Sequence, residues 1–211
     1  DSYYRCAGQL LERHRAGTPV IGICGGFQML GRELNDPLHT ESEIPQIKGL
    51  GLLDTTTTFA PDKVTTQVEA EVAGSGLFLC EAPSSRITGY EIHMGRTEQA
   101  PDLRPAFTIL LRSGEKVFFP DGAVSRDGLV LGTYIHGIFD SDGFRRHIVN
   151  TLRRKKGLEP LATAGTTPAL EQRNKDFDKL AALVRSSLDL ERIYQLLGLE
   201  GPAGGRKQIC R

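Results

Sequence analysis

The chain has 211 residues, 39% of them hydrophobic, with 26 lysines and arginines balanced by 26 aspartates and glutamates. That length and apolar content suffice for one globular domain with an appendage and exclude a chain disordered throughout. Electroneutrality excludes a global field that would draw it to nucleic acid or to an anionic membrane, so its partners must be recognised locally. No run of about 18 apolar residues and no signal-peptide pattern is present, which predicts a cytoplasmic protein without a membrane partner. Cys6, Cys24, Cys80 and Cys210 are scattered, with no C-x-x-C pair and no metal-ligand spacing beside the histidines, so neither a disulfide framework nor a metal site is expected.

In chain order, Tyr3, Ala7, Leu10, Leu11 and His14 repeat with a helical period that stops at Gly17. The pattern begins inside an element and without an initiator methionine, which predicts an N-terminally truncated fragment of something longer. "PVIGIC", ending at Cys24, is a continuous apolar run of strand length, as a strand buried on both faces of a parallel sheet requires. "FQMLGREL", Phe27 to Leu34, reads as the helix that follows. Between Val64 and Val72 apolar residues and threonine alternate with charged or polar ones, the mark of an antiparallel strand with one wet face. "RITGYEIH", "FTILLR", "KVFFP" and "LVLGTYIH" are further strands separated by glycine, proline and aspartate turns. "DSDGFRRHIVNTLRRKKG" opens on an aspartate/serine cap and ends in basic residues before Gly157, so it is a helix. These readings divide the chain into a main domain over 1–157, a linker and helical extension over 158–200, and a flexible tail over 201–211.

Cys24 stands in Gly22-Ile23-Cys24-Gly25-Gly26, the G-x-nucleophile-x-G form that exposes a side chain on a strained turn between strand and helix. Glycines on both flanks let the backbone turn sharply and let a substrate carbonyl approach the amide groups, while the helix N-terminus favours a thiolate. A small buried core cysteine is the plainer alternative, and the strand–elbow–helix context argues against it. A cysteine nucleophile needs a base. His14 and His147 lie in charged helical stretches and read as solvated, and His39 lies in a polar loop. His136 follows an apolar strand and precedes a glycine, where a parallel sheet presents functional groups; His93, also at a strand end, is the reserve candidate.

"PVIGICGGFQMLG", "GYEIHMGRT" and "GTYIHGIFD", in this order, resemble the class I, triad-type glutamine amidotransferase domains of the cobyric and cobyrinic acid synthase family, over about Leu11 to Lys156. The resemblance implies an α/β, flavodoxin-like sandwich with a mostly parallel central sheet and flanking helices, its first strands lying upstream of Asp1. It implies that Cys24 attacks the carboxamide of glutamine to give a thioester intermediate and ammonia, with His136 as general base. Gly25 would supply one oxyanion N–H, Gln28 would contact the glutamine, and the backbone from His93 to Gly95 would hold its α-amino and α-carboxylate groups. No cofactor is implied for this domain. The partner implied is an upstream ATP-dependent synthetase domain using ATP and Mg, which amidates carboxylates of adenosylcobyrinic acid a,c-diamide in cobalamin biosynthesis. Most class I relatives carry an orienting glutamate two residues after the histidine, where this chain has Ile138; Glu91 or Asp140 is then the expected substitute. Two rival readings stay open: a related glutaminase subunit, such as one serving amidation of a cell-wall lipid precursor, and a non-catalytic remnant that only binds a partner.

Overall fold

The computed structural model describes residues 2–83, 86–162 and 169–199; the tail expected over 201–211, with Cys210, lies outside the described residues. The chain forms two compact units, Asp1–Gly165 and Thr166–Arg211.

The first unit opens with helix α1 (Ser2–Arg15), whose last turn gathers Arg13, His14 and Arg15, cations that complement the helix's negative end. Strand β1 (Val20–Ile23) leads directly into helix α2 (Gly25–Leu30). The helix can lie this close to the strand because of Gly22: a Cβ there would stand 2.4 Å from Leu30 Cδ1 and 2.8 Å from the Gly26 carbonyl oxygen. The expected helix over Phe27–Leu34 stops at Leu30, and Glu33–Asn35 forms strand β2 instead. The physical cause is tertiary: Gly31 turns extended at ψ −176, and pairing of β2 with its neighbours outweighs a weak local helix preference.

After β3 (Gln46–Lys48) come β4 (Thr55–Val72), β5 (Ile87–Gln99), β6 (Phe107–Arg112) and β7 (Glu115–Asp121). Beyond them lie β8 (Ala123–Val124), β9 (Val130–Thr133) and β10 (Ile135–His136). The α/β class expected from the sequence is the one observed, with the proportions of its sheets changed. Among the described residues parallel pairing is confined to β1 with β9 and β2 with β4, and every other strand pair is antiparallel. β6 and β7, joined by the two-residue turn at Ser113 and Gly114, can only pair antiparallel, and β4 pairs antiparallel with both β5 and β6. Along β4 the predicted alternation holds: Val68 and Ala70 are buried while Thr65 and Gln67 are exposed. The β4–β5 ladder shifts register between Phe59 and Val64, where Pro61 has no N–H to donate.

The run "LVLGTYIH" is not one strand. β9 lies between β1 and β8 in a three-stranded sheet, whereas β10 pairs with β5 at the end of the larger sheet, and Tyr134 is the residue between them. Apolar content cannot signal this switch, since both halves are buried.

Helix α3 (Asp142–Lys155) buries Phe144, Ile148 and Thr151, and Phe144 meets Phe107 edge to face at 5.9 Å. Each such aliphatic or aromatic side chain contributes roughly 1.5–3 kcal/mol on burial. Ser141 stands at its N-cap position, but its side chain makes no capping bond. The second unit contains α4 (Ala169–Ser187) and α5 (Leu190–Leu196), the latter capped by Asp189, which accepts from Arg192 N. Both helices lie within the stretch expected as linker and helical extension. No helix among the described residues is long and apolar enough to cross a membrane.

Candidate active site

The elbow expected at Cys24 is formed. Cys24 has φ 55 and ψ −118 and is the N-cap of α2. This backbone region is disfavoured for a side chain with a Cβ and costs on the order of 1–3 kcal/mol, so the surroundings must hold it. They do so through Cys24 N donating to Thr133 O at 2.9 Å and Gln28 N donating to Cys24 O at 3.1 Å. The thiol Sγ donates to Ile92 O at 3.3 Å. The flanking glycines differ in what they do. Gly22 is needed for packing, but a Cβ at Gly25 or Gly26 would meet nothing within 4 Å, so the space over the first turn of α2 is open.

His136 stacks flat on Tyr90, its register partner on β5, with ring centroids 5.0 Å apart at 3°. Its Nε2 is buried without a hydrogen-bond partner. Strand β5 therefore presents both groups, since Ile92 under the Cys24 thiol and Tyr90 under His136 are two residues, about 7 Å of strand, apart. No hydrogen bond joins the Cys24 thiol to the His136 ring among the described residues. Ile138, at the position of the missing glutamate, is a fully buried core residue. Of the expected substitutes, Glu91 points away: strand alternation sends it to the face opposite Tyr90, where Arg112 grips it through Nε at 3.0 Å and Nη2 at 3.2 Å. The Asp140 carboxylate lies beside Gly137, its Oδ2 3.5 Å from where a Cβ of that residue would be.

On that opposite face the structure gathers His93, Gly95 and Gln28. His93 Nδ1 bonds Gly95 O at 2.9 Å, while its Nε2 faces Glu91 Oε1 at 3.6 Å. The ring stacks on Tyr134 at 3.9 Å. Buried Gln28 donates through Nε2 to the Tyr134 hydroxyl at 3.2 Å; that hydroxyl is 2.6 Å from Thr97 Oγ1, which is 2.7 Å from Thr57 Oγ1. Gly95 makes this possible, because a Cβ there would stand 2.7 Å from both Gln28 Nε2 and Thr57 Cγ2. A cavity of about 740 Å³ opens here, lined among others by Glu91, His93, Arg112, Asp121 and Tyr134. Burial alone would raise the Glu91 carboxyl, but the adjacent His93 ring and the hydrogen bonds from Arg112, with their charges, hold it below its usual range. Asp121, 4% exposed, is instead pushed up to about 6 by burial, against the opposing pull of Thr133 and the Tyr134 N–H.

Two histidines read as solvated are not. His14 is 15% exposed, with Nδ1 3.3 Å from Thr18 O and Nε2 3.8 Å from Asp127. His147 buries an unpartnered Nε2, and desolvation followed by Arg154 holds its ring below the usual range. Sequence reasoning missed Tyr134, Thr133 and Asp121. The first two sit inside an apolar run and Asp121 inside "FPDG", which reads as a turn, so no local pattern marks them. Cys6, Cys24 and Cys80 are free thiols.

Residues 3–144 match the family model of the CobB/CobQ-like glutamine amidotransferase domain. Among curated relatives, the chain is 46% identical over 191 residues to a cobyric acid synthase of Dehalococcoides mccartyi, covering 90% of this chain and 37% of that protein. It is 43% identical over 203 residues to a cobyric acid synthase of Moorella thermoacetica, covering 95% and 39%. The chain thus spans under two fifths of the length of these two relatives. The solved structure of PurLQS from Thermotoga maritima aligns at a TM-score of 0.49 and 18% identity, over 69% of this chain and 68% of that one. The chain belongs to the CobB/CobQ-like glutamine amidotransferase domain family.

Proposed function

We propose that this domain is the glutaminase part of a cobyric acid synthase and that Cys24 and His136 carry out the hydrolysis. The observation that supports it most is Cys24 itself, a left-handed, strained residue at a strand–helix elbow with open space over the following turn. In the proposed reaction His136 accepts the thiol proton and the sulfur attacks the carboxamide carbon of glutamine. The N–H of Gly25 stabilises the oxyanion that forms. The C–N bond then breaks, His136 returns the proton to the leaving nitrogen, and ammonia departs from a γ-glutamyl thioester that water hydrolyses to glutamate. Both rings stack on a tyrosine and bury an Nε2 without a hydrogen-bond partner; His136 suits the role better because the Nδ1 of His93 is bonded to Gly95 O and its Nε2 faces Glu91 at 3.6 Å. Gln28 and the His93–Gly95 backbone hold the substrate's polar groups.

The thiol supplies the nucleophile, so the proposed step requires no metal or organic cofactor in this domain. The similarity to cobyric acid synthases supports the rest of the proposal: as the family resemblance implies, ammonia passes to an upstream synthetase domain that uses ATP and Mg to amidate carboxylates of adenosylcobyrinic acid a,c-diamide. The test is glutamate release from glutamine by the full chain, with mass-spectrometric trapping of a γ-glutamyl adduct on the peptide containing Cys24. An adduct on another cysteine, or hydrolysis without one, overturns the assignment.

A further inference from the structure

We propose that Asp121 is a positioning residue for the reaction at Cys24, acting through the Thr133–Ile135 link that joins the nucleophile's anchor to His136; the proposal rests on the glutaminase reading above. Thr133 O receives the Cys24 N–H, and His136 follows three residues later. That short link is also where the chain leaves one sheet for the other, so no strand ladder of its own holds Tyr134. Asp121, at the end of β7, replaces the ladder. Its Oδ2 accepts from Thr133 Oγ1 and its Oδ1 from Tyr134 N at 3.1 Å. Thr133 Oγ1, its proton committed to the carboxylate, accepts in turn from Ile135 N at 3.0 Å. One carboxylate therefore fixes the orientation of three consecutive residues, one anchoring Cys24, one bonding Gln28 and one leading into His136.

The chemistry of Asp121 separates this role from packing. Among the described residues no cation pairs with it, and its only hydrogen-bond donors are a hydroxyl and a backbone N–H. Its charged form is disfavoured by burial and by Glu91, and helped by Thr133, the Tyr134 N–H and His93. Asparagine has the same shape and carries no such penalty, but it would present an N–H₂ to Thr133 Oγ1 and turn that hydroxyl's proton away. Buried charge that works against stability is more usual at reacting centres than in cores.

The test compares Asp121→Asn, Thr133→Val and Thr133→Ser with wild type in the full chain. Asp121→Asn and Thr133→Val are expected to lower kcat by about 10–10²-fold, as a misplacement near 1 Å does, with a smaller change in KM for glutamine. Asp121→Asn should not lower the melting temperature at pH 7, and Thr133→Ser, which retains the hydroxyl, should recover most of the rate lost in Thr133→Val. The rate of Cys24 alkylation by iodoacetamide provides a readout independent of glutamine, with exposed Cys6 and Cys80 as internal references; in Asp121→Asn it should fall several-fold at Cys24 alone. A wild type that releases no glutamate would remove the glutaminase reading, and the alkylation rates would still decide the positioning role. Wild-type alkylation of Cys24 in Asp121→Asn, or a kcat that falls only as folded protein is lost, overturns the proposal.

Discussion

Cys24 and His136 face the same stretch of β5, yet they are held in opposite ways. Cys24 takes its conformation from its neighbours in sequence, a four-residue strand, a glycine that admits the helix, and a helix that starts on the next residue, with one remote backbone bond, to Thr133 O, anchoring it. His136 is placed by residues remote in sequence, with Tyr90 beneath its ring, β5 paired alongside it, and Asp121 holding the link that leads to it. A nucleophile that must adopt strained backbone needs a rigid local frame, whereas a base needs only to arrive within reach, and any part of the fold can deliver it. Damage near Cys24 should therefore act at once on chemistry and on local folding, and damage to the supports of His136 should act on rate with less effect on folding.

The largest expected effect tests the local half. Cys24→Ser should abolish glutamine hydrolysis, while Cys6→Ser and Cys80→Ser, at exposed positions, should leave it near wild type; substantial turnover by Cys24→Ser would break the comparison at its root. Next comes the remote half. His136→Ala should lower kcat by about 10²–10⁴-fold, the range for loss of a general base. His93→Ala should raise KM for glutamine more than it lowers kcat, and the reverse pattern in steady-state kinetics would exchange the two histidines.

Smaller effects sharpen the contrast in stability. The Asp121 carboxyl lies near 6 in the folded chain against an ordinary 3.8. Between those values the folded state binds a proton that the unfolded state has released, so this group makes the protein less stable as pH rises from 4 to 6. The total is about 3 kcal/mol and is fully expressed above pH 6. Denaturant titrations of wild type and Asp121→Asn across that range should show the wild-type difference and its loss in the variant. Smallest is Gly22→Ala, whose Cβ would press on Leu30 and on the Gly26 backbone. It should cost roughly 1–3 kcal/mol, or about 2–4 °C of melting temperature per kcal/mol in a domain of this size. Glutaminase activity should fall with it, because the strand and helix that meet there carry the elbow.

Much of this was legible beforehand. The β4 alternation, the apolar β1, the α3 helix and the elbow at Cys24 follow from short-range patterns of side-chain size and polarity. The proposed base was a choice among five histidines, narrowed by position in a strand and by likeness to a family, and the two dismissed as solvated proved to be half-buried. The helix expected over Phe27–Leu34 failed at Gly31, where β2 pairing outweighed a weak local preference. Glu91, one of the two residues expected to orient His136, serves Arg112 and His93 instead, because the alternation of a strand allows a side chain only one face.

The sequence by itself determined where the backbone would strain and which cysteine would stand on that strain, because glycine placement and the strand-to-helix change of period are local properties. It also determined the family, through three motifs in order. The tertiary structure alone decided that "LVLGTYIH" is divided between two sheets, that Tyr134 joins Gln28 to Thr97, and that Asp121 holds the divided segment. Each of these depends on a hydrogen bond or a pairing between residues distant in sequence. Such a bond is fixed by where whole sheets come to rest, which no short window of residues encodes.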